Sequence, residues 1–140
     1  MIRRFKNSDL AAVMEIWLAG NLQAHSFIDE NYWKDNYDAV REMILQAEVY
    51  VYEEKGEIVG FLGLEEMFIA GIFVRNDKRS LGIGKALLNF LKKDFLELRL
   101  TVYQKNNRAL AFYLREGFEI IEKRNDADTG EVELCLQWFR

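Results

Sequence analysis

The segment Arg79 to Lys85, RSLGIGK, places two glycines and two cations between an apolar run and an amphipathic one. The apolar run 69–74 predicts a buried strand, and apolar positions 83, 86, 87, 90 and 91 predict one face of a helix. Backbone N–H groups at a helix start have no internal partner, and the helix dipole adds positive charge there. Glycine also lets an anion approach the backbone closely. The segment therefore predicts a phosphate or pyrophosphate site formed by Arg79, Ser80, Leu81, Gly82, Ile83, Gly84 and Lys85.

Three nucleotide-binding motifs compete for this segment. A P-loop needs glycine at position 79 and a hydroxyl residue at position 86, where the chain has Arg79 and Ala86. A dinucleotide-binding fingerprint needs a third glycine at position 87, where the chain has Leu87. The pattern that remains is Arg-x-x-Gly-x-Gly, from Arg79 to Gly84.

A second segment, 102–118, predicts a strand, an Asn-led turn, a short helix that ends in Phe-Tyr, and a Gly-Phe pair before another strand. Together with the Arg-x-x-Gly-x-Gly pattern, it resembles the two signatures of the GNAT superfamily of acetyl-coenzyme A-dependent N-acetyltransferases. The resemblance covers nearly the whole chain. Within the superfamily it resembles small stand-alone bacterial members of the YiaC and YjaB type, which share the His25-Ser26-Phe27 segment and the Tyr32-Trp33 pair. The resemblance implies acetyl transfer from acetyl-coenzyme A to a primary amine without a metal.

The resemblance also implies which residues contact the coenzyme. Backbone groups of Ile72, Phe73 and Val74 are expected to bind the pantetheine arm, and the turn 79–85 is expected to bind the pyrophosphate. Asn106 either bonds to the coenzyme or caps the following helix, since Asn suits both roles. Tyr113 is the predicted general acid. A phenol, with an ordinary pKa of about 10, is neutral at physiological pH and can donate a proton to a departing thiolate, whose thiol has a pKa of about 8.5.

The acceptor amine is expected beside the connection between the first two helices. The resemblance places His25, the only histidine, at this wall together with Phe27 and Phe68, and Trp33 is a further candidate. Histidine is the side chain whose ordinary pKa lies closest to neutrality. The base that takes the amine proton stays open between water and three side chains, namely His25, Glu65 and Glu66.

The elements that must position these residues follow from hydrophobic periodicity. Ser8 is the predicted cap of a first helix, whose apolar face runs from Leu10 to Leu18. The other predicted helices are 30–46, 83–94 and 107–115, and the predicted strands are 2–5, 49–53, 58–65, 68–75, 98–102, 118–124 and 131–138. This order predicts an α/β fold with a mixed, mostly antiparallel sheet and about four flanking helices. Helix 83–94 should connect two parallel strands, and the resemblance implies that this central pair splays apart.

Composition limits the classes of function. The chain has 140 residues, half of them apolar, which fits one domain over 1–140. The net charge of −4 argues against a nucleic-acid partner, and a single cysteine allows no internal disulfide or cysteine cluster for a metal. No stretch predicts a membrane span or a secretion signal, so a cytoplasmic protein is expected, either a monomer or a homodimer. The acceptor stays open between a protein lysine, a protein N-terminus and a small amine, and the alternative function is a non-catalytic acyl-coenzyme A binding module.

Overall fold

A computed structural model describes all 140 residues of the chain. Seven strands, five α-helices and two short 3-10 helices alternate along it. The strands are β1 Ile2–Arg4, β2 Glu48–Glu54, β3 Glu57–Glu65, β4 Phe68–Val74, β5 Glu97–Tyr103, β6 Glu119–Asn125 and β7 Val132–Phe139. The α-helices are α1 Leu10–Ala24, α2 Glu30–Asp35, α3 Tyr37–Gln46, α4 Ile83–Lys92 and α5 Asn107–Arg115. The 3-10 helices are Asn7–Asp9 and Asn76–Lys78.

The strands form one sheet in the order β1-β2-β3-β4-β5-β7-β6, and only β4 and β5 are parallel neighbours. These two strands pair at a single position, Phe68 with Arg99, and diverge toward their carboxyl ends. The register between β3 and β4 shifts after Ile69, so that Ala70 is an extra residue before Gly71. Such a bulge bends the strand that contains it, which helps β4 to turn away from β5.

Helices cover both faces of the sheet because side chains alternate between the faces along each strand. Helix α1 contacts β3 and β4, with α2 and α3 packed on it, while α4 contacts β3 and β4 and α5 contacts β5. The core under α1 to α3 includes Val13, Trp17, Trp33, Val51 and Phe61. The core under α4 and α5 includes Leu62, Leu87, Leu88, Leu98 and Leu136.

The predicted α/β class with a splayed parallel pair is confirmed, and α5 has the predicted bounds. The prediction of one helix over 30–46 is wrong, because the helix is divided at Asn36. The Asn36 side chain donates to the Tyr32 carbonyl at 2.6 Å, a carbonyl that a continuous helix would use for its backbone alone. Ser8 does not cap α1 either. It lies in the 3-10 helix before α1, where the Asp9 carboxylate accepts from the Lys6 N–H at 2.8 Å.

None of the helices has both the length and the apolar character that crossing a lipid bilayer requires.

Candidate active site

A cleft of about 1250 Å³ opens where β4 and β5 diverge, and the end of α1, the start of α4 and helix α5 complete its walls. It is lined by 25 residues. They include most of the residues that the sequence singles out, namely His25, Ile72, Phe73, Val74, Arg79, Ser80, Gly82, Ile83, Gly84, Lys85, Asn106 and Tyr113. A smaller cavity of about 570 Å³, beside the amino end of α1, contains none of them.

The turn between β4 and α4 has the backbone geometry of an anion site. Gly82 directly precedes α4 with a φ of 86°, a left-handed conformation that favours glycine, and the space where its Cβ would lie is open. The Ala86 N–H donates to the Gly82 carbonyl at 2.9 Å as the first bond of the helix. The N–H groups of residues 83–85 therefore have no acceptor within α4, and all three residues line the cleft.

Cationic side chains dominate the lining of the cleft. Its lining contains six of them against the single carboxylate of Glu116: Lys78, Arg79, Lys85, Lys105, Arg108 and Arg115. Arg108 donates to Ser80 Oγ at 3.0 Å, which joins α5 to the turn before α4. The pKa of Arg79 is lowered by burial and, second, by the nearby charge of Arg108. The neighbouring guanidinium groups of Arg79 and Arg108, which form no ion pair with a carboxylate, match the charge of a diphosphate.

The edge of β4 that faces the cleft offers free backbone groups. The Arg75 N–H donates to the Val59 carbonyl of β3 at 2.8 Å. Because the backbone groups of successive strand residues point to opposite sides, this bond shows which residues of β4 face β3. Phe73 therefore directs its backbone groups to β3, while Ile72 and Val74 direct theirs to the side where β5 has diverged. Of the three predicted strand residues, Ile72 and Val74 thus have backbone groups free for a ligand.

The Phe73 side chain forms part of the cleft wall and of the core. Its ring stacks on Phe61 with ring centroids 5.1 Å apart, and it lies directly over Gly71. A Cβ at position 71 would be 2.4 Å from the ring, and a Cβ on Gly20 of α1 would be 3.3 Å from it. These two glycines therefore let the ring lie between β4 and α1.

Tyr113 lies on α5 with only 8 % of its surface exposed, and it contacts Phe112 and Phe118 edge-on. It packs in the core under α5 and lines the cleft at the same time. Burial raises the pKa of its phenol, so the hydroxyl keeps its proton at neutral pH. A neutral hydroxyl without a hydrogen-bond partner in the protein is a donor available to a molecule in the cleft.

His25 follows α1 at the opposite wall, among aromatic side chains. Its ring stacks on Trp33 at 5.1 Å and meets Tyr103 and Phe27 edge-on at 5.1 and 5.7 Å. Nε2 lies 3.3 Å from Asn106 Nδ2. Asn106 is the N-cap of α5, since its side-chain oxygen accepts from the Ala109 N–H at 3.3 Å. The capping role weighed for Asn106 is therefore observed, and the residue lines the cleft as well.

Several predicted residues do not line the cleft. Leu81 is 67 % exposed, and Phe27 contacts the His25 ring without reaching the cleft. Phe68 lies where β4 and β5 pair, at the closed end of the divergence. It pairs with Glu65, the last residue of β3, and Glu66 follows in the β3–β4 turn. The bulge after Ile69 and the run of β4 separate this turn from the open end of the cleft. The structure thus brings Phe68 and both glutamates together, but away from His25 and Tyr113.

Two residues near the cleft were not predicted from the sequence to be site residues. Arg108 reaches the anion turn, and Tyr103 supports His25 while its hydroxyl donates to Asp126 at 2.5 Å. Tyr103 and Arg108 belong to the second signature segment, and this membership is the one signal in the sequence that pointed to them. The structure contains no group of three or more His, Cys, Asp or Glu side chains that could hold a metal ion.

Comparison with known proteins agrees with this geometry. The family model described as "Acetyltransferase (GNAT) domain" matches residues 46–120. The chain is 40% identical to the peptidyl-lysine N-acetyltransferase YiaC of Escherichia coli strain K12, over 99% of this chain and 96% of that protein. It is 27% identical to the peptidyl-lysine N-acetyltransferase YjaB of the same strain, over 93% of this chain and 89% of that protein. The solution structure of apo-form YjaB from Escherichia coli superimposes with a TM-score of 0.88, at 26% identity, covering 99% of this chain and 96% of that chain.

Fold, cleft and relatives thus agree on one kind of chemistry, acetyl transfer from acetyl-coenzyme A to an amine. The chain belongs to the GNAT acetyltransferase family and is an acetyl-coenzyme A-dependent N-acetyltransferase.

Proposed function

We propose that this acetyltransferase modifies lysine side chains of proteins or peptides. The observation that carries the proposal is the 40% identity, over nearly the full chain, to a protein named as a peptidyl-lysine N-acetyltransferase. The acceptor side of the cleft supports it, because the His25 ring lines the cleft there and is held against the rings of Trp33 and Tyr103. An aromatic wall suits the aliphatic stem of lysine, whose polar end alone needs a polar environment.

The diphosphate of acetyl-coenzyme A binds at the turn 79–85 and the pantetheine arm along β4. The N–H groups of residues 83–85 and the guanidinium groups of Arg79 and Arg108 supply hydrogen bonds and positive charge to the diphosphate. The backbone groups of Ile72 and Val74 bond to the amides of the arm, as a further strand would. This binding mode directs the thioester toward Tyr113 and the end of α1.

The reaction forms one bond and breaks one. The neutral amine nitrogen bonds to the thioester carbonyl carbon, the carbon–sulfur bond breaks, and the sulfur leaves with the electron pair. Tyr113 donates its proton to that sulfur and is reprotonated from solvent, because its hydroxyl is neutral in the resting protein. Fixed positions of the two reactants supply a further part of the acceleration.

Water takes the proton from the acceptor amine. Glu65 and Glu66 lie at the closed end of the β4–β5 divergence, and the one carboxylate of the lining, Glu116, lies 4.0 Å from Lys85 at the coenzyme end. Burial lowers the pKa of His25 to about 4, which makes its imidazole a poor base at neutral pH. These positions support solvent as the base among the alternatives that the sequence leaves open.

We place the protein in the cytoplasm, as a monomer or homodimer without a nucleic-acid partner. The net charge of −4 supports the absence of a nucleic-acid partner. The only cysteine, Cys135, is free and buried in β7, which is compatible with a reducing compartment.

An acceptor comparison tests the lysine proposal. Purified protein and acetyl-coenzyme A are mixed with a lysine peptide blocked at its N-terminus, a lysine-free peptide with a free N-terminus, and a polyamine. Release of free thiol and the mass of the peptide are followed together. Thiol release and acetylation with the blocked lysine peptide are the expected result. If only the free N-terminus or only the polyamine is acetylated, lysine is not the acceptor, although the chemistry is still acetyl transfer to an amine.

A further inference from the structure

The contact between His25 and Asn106 fixes the proton of the only histidine. Asn106 Oδ1 accepts from the Ala109 N–H, so its amide nitrogen is the group that faces His25 Nε2 at 3.3 Å. An amide nitrogen donates hydrogen bonds and does not accept them. Nε2 must therefore be the unprotonated, accepting nitrogen of the ring, and Nδ1 carries the proton. Nδ1 is buried and has no hydrogen-bond partner in the protein.

This arrangement prevents the ring from serving as the base. A second proton on Nε2 would point an N–H group at the NH₂ group of Asn106, while Nδ1 is already protonated and shielded from solvent. Two titratable side chains on neighbouring elements lie near the His25 ring. They are Tyr103 of β5, whose hydroxyl donates to Asp126, and Lys105, which lies over Phe27. Neither group shifts the pKa of His25, which burial alone lowers to about 4.

We propose that His25 is a positioning residue, whose Nε2 accepts the hydrogen bond from Asn106 and thereby holds the acceptor wall against the start of α5. The bond joins residues 81 positions apart, one at the end of α1 and one at the N-cap of the helix that carries Tyr113. Through its stacking on Trp33, His25 transmits this restraint to α2. The acceptor wall and the proton donor are therefore held in a fixed relation. The inference rests on the proposed function, because it takes the side of the cleft at His25 to be the acceptor side.

Nuclear magnetic resonance of the single histidine tests the proton assignment without any substrate. We expect the native protein to show the Nδ1-protonated form in long-range ¹H–¹⁵N spectra, with no titration between pH 5 and 8. The variant Asn106→Asp keeps an N-cap but presents a carboxylate in place of the amide NH₂. A carboxylate favours the charged imidazole, so the histidine pKa should rise in this variant. A native Nε2-protonated form, or native titration near pH 6.5, would overturn the proposal.

A double-mutant cycle tests the positioning role. His25→Phe keeps an aromatic ring against Trp33 and removes the acceptor nitrogen, and Asn106→Ala removes the donor. Residues that share one hydrogen bond should be non-additive, with a coupling factor of about threefold or more in the unfolding constant and in kcat/KM for the acceptor. The control cycle pairs His25→Phe with Arg99→Ala, which removes an ion pair with Glu97 at the closed end of the β4–β5 divergence, and it should be additive. Additive effects in the His25–Asn106 cycle would refute the coupling.

Kinetics with His25→Gln separate positioning from proton transfer, because a glutamine oxygen can still accept from Asn106. We expect His25→Gln to retain more kcat/KM than His25→Phe, and both variants to keep the shape of the native pH–rate profile. An acidic limb that is present in the native protein and absent from both variants would identify His25 as the base. The unfolding cycle and the resonance measurements need no acceptor, so a wrong acceptor class would leave their outcome unchanged.

Discussion

Replacing Tyr113 with Phe removes one hydroxyl and keeps the ring that packs against Phe112 and Phe118. The hydroxyl has no hydrogen-bond partner in the protein, so its removal leaves no buried group unpaired. The free energy of unfolding should therefore change by less than about 1 kcal/mol. Affinity for coenzyme A should also stay close to the native value, because the proposed binding groups are on β4, on the turn before α4 and at the start of α5.

Turnover should respond very differently. A general acid contributes roughly 10²–10⁴-fold, and each factor of ten corresponds to about 1.36 kcal/mol of activation free energy. A thiol with a pKa of about 8.5 leaves more easily than an alcohol, so partial reaction without the acid is possible. We therefore expect Tyr113→Phe to lose about 100-fold in kcat, near the lower end of this range.

The assay measures free thiol release at saturating acetyl-coenzyme A and acceptor, next to urea unfolding and calorimetric binding of coenzyme A. Native-like stability and affinity with a 100-fold lower kcat are the expected combination. A native kcat would remove Tyr113 from the chemistry. A fall in kcat that parallels a fall in stability would instead assign Tyr113 a purely structural role.

Three further outcomes follow from the cleft and its walls. Arg108→Ala should raise KM for acetyl-coenzyme A by roughly tenfold with little change in kcat. A hydrogen bond to a charged group is worth about 1.5–3 kcal/mol, and the bond from Arg108 to the diphosphate would be exposed. Arg124→Ala, which breaks an ion pair outside the cleft, is the control. Because folding lowers the pKa of His25 from 6.5 to about 4, the folded state binds fewer protons in that interval. Stability should thus decline as the pH falls from about 6.5 toward 4, and His25→Gln should flatten this slope in urea titrations. Gly71→Ala should destabilise the protein by about 1–3 kcal/mol because the added Cβ would overlap the Phe73 ring. Gly63→Ala, whose Cβ would make only an ordinary contact, should cost much less. Equal costs for the two variants would contradict the packing described.

The features that the sequence predicted correctly are local ones. The strand before the glycine turn and the helix after it lie close to the predicted bounds, because the pattern that predicts them spans only about 25 consecutive residues. Anion binding at the turn stays a prediction. Helix α5 was predicted at its observed bounds because Asn106 caps it and Gly117 follows it closely. The break at Asn36 was not predicted, since hydrophobic periodicity continues across it and only the side-chain bond to Tyr32 reveals it.

The contacts that complete the site are non-local. Arg108 and Ser80 are 28 positions apart, Tyr103 and Asp126 are 23 apart, and no spacing rule in a single chain relates such residues. Phe68 was predicted beside His25 but lies away from it, again because the arrangement of distant elements decides its position. Its strand was predicted correctly, but the strand's orientation places Ile72 and Val74 at the open end of the divergence and Phe68 at the closed end.

Burial at the acceptor side of the cleft would let the enzyme act with water as the base, as proposed above. A lysine amine has a pKa of about 10.4, so roughly one molecule in a thousand is neutral at pH 7.4 in water. The one carboxylate of the cleft lining, Glu116, lies 4.0 Å from Lys85 at the coenzyme end, and the His25 ring on the acceptor side stacks on Trp33. Burial beside His25, away from any carboxylate, disfavours an ammonium ion and therefore lowers the pKa of an amine that enters. The acceptor side of the cleft would thus favour the neutral, nucleophilic amine, and water would need only to remove a proton that the site already destabilises.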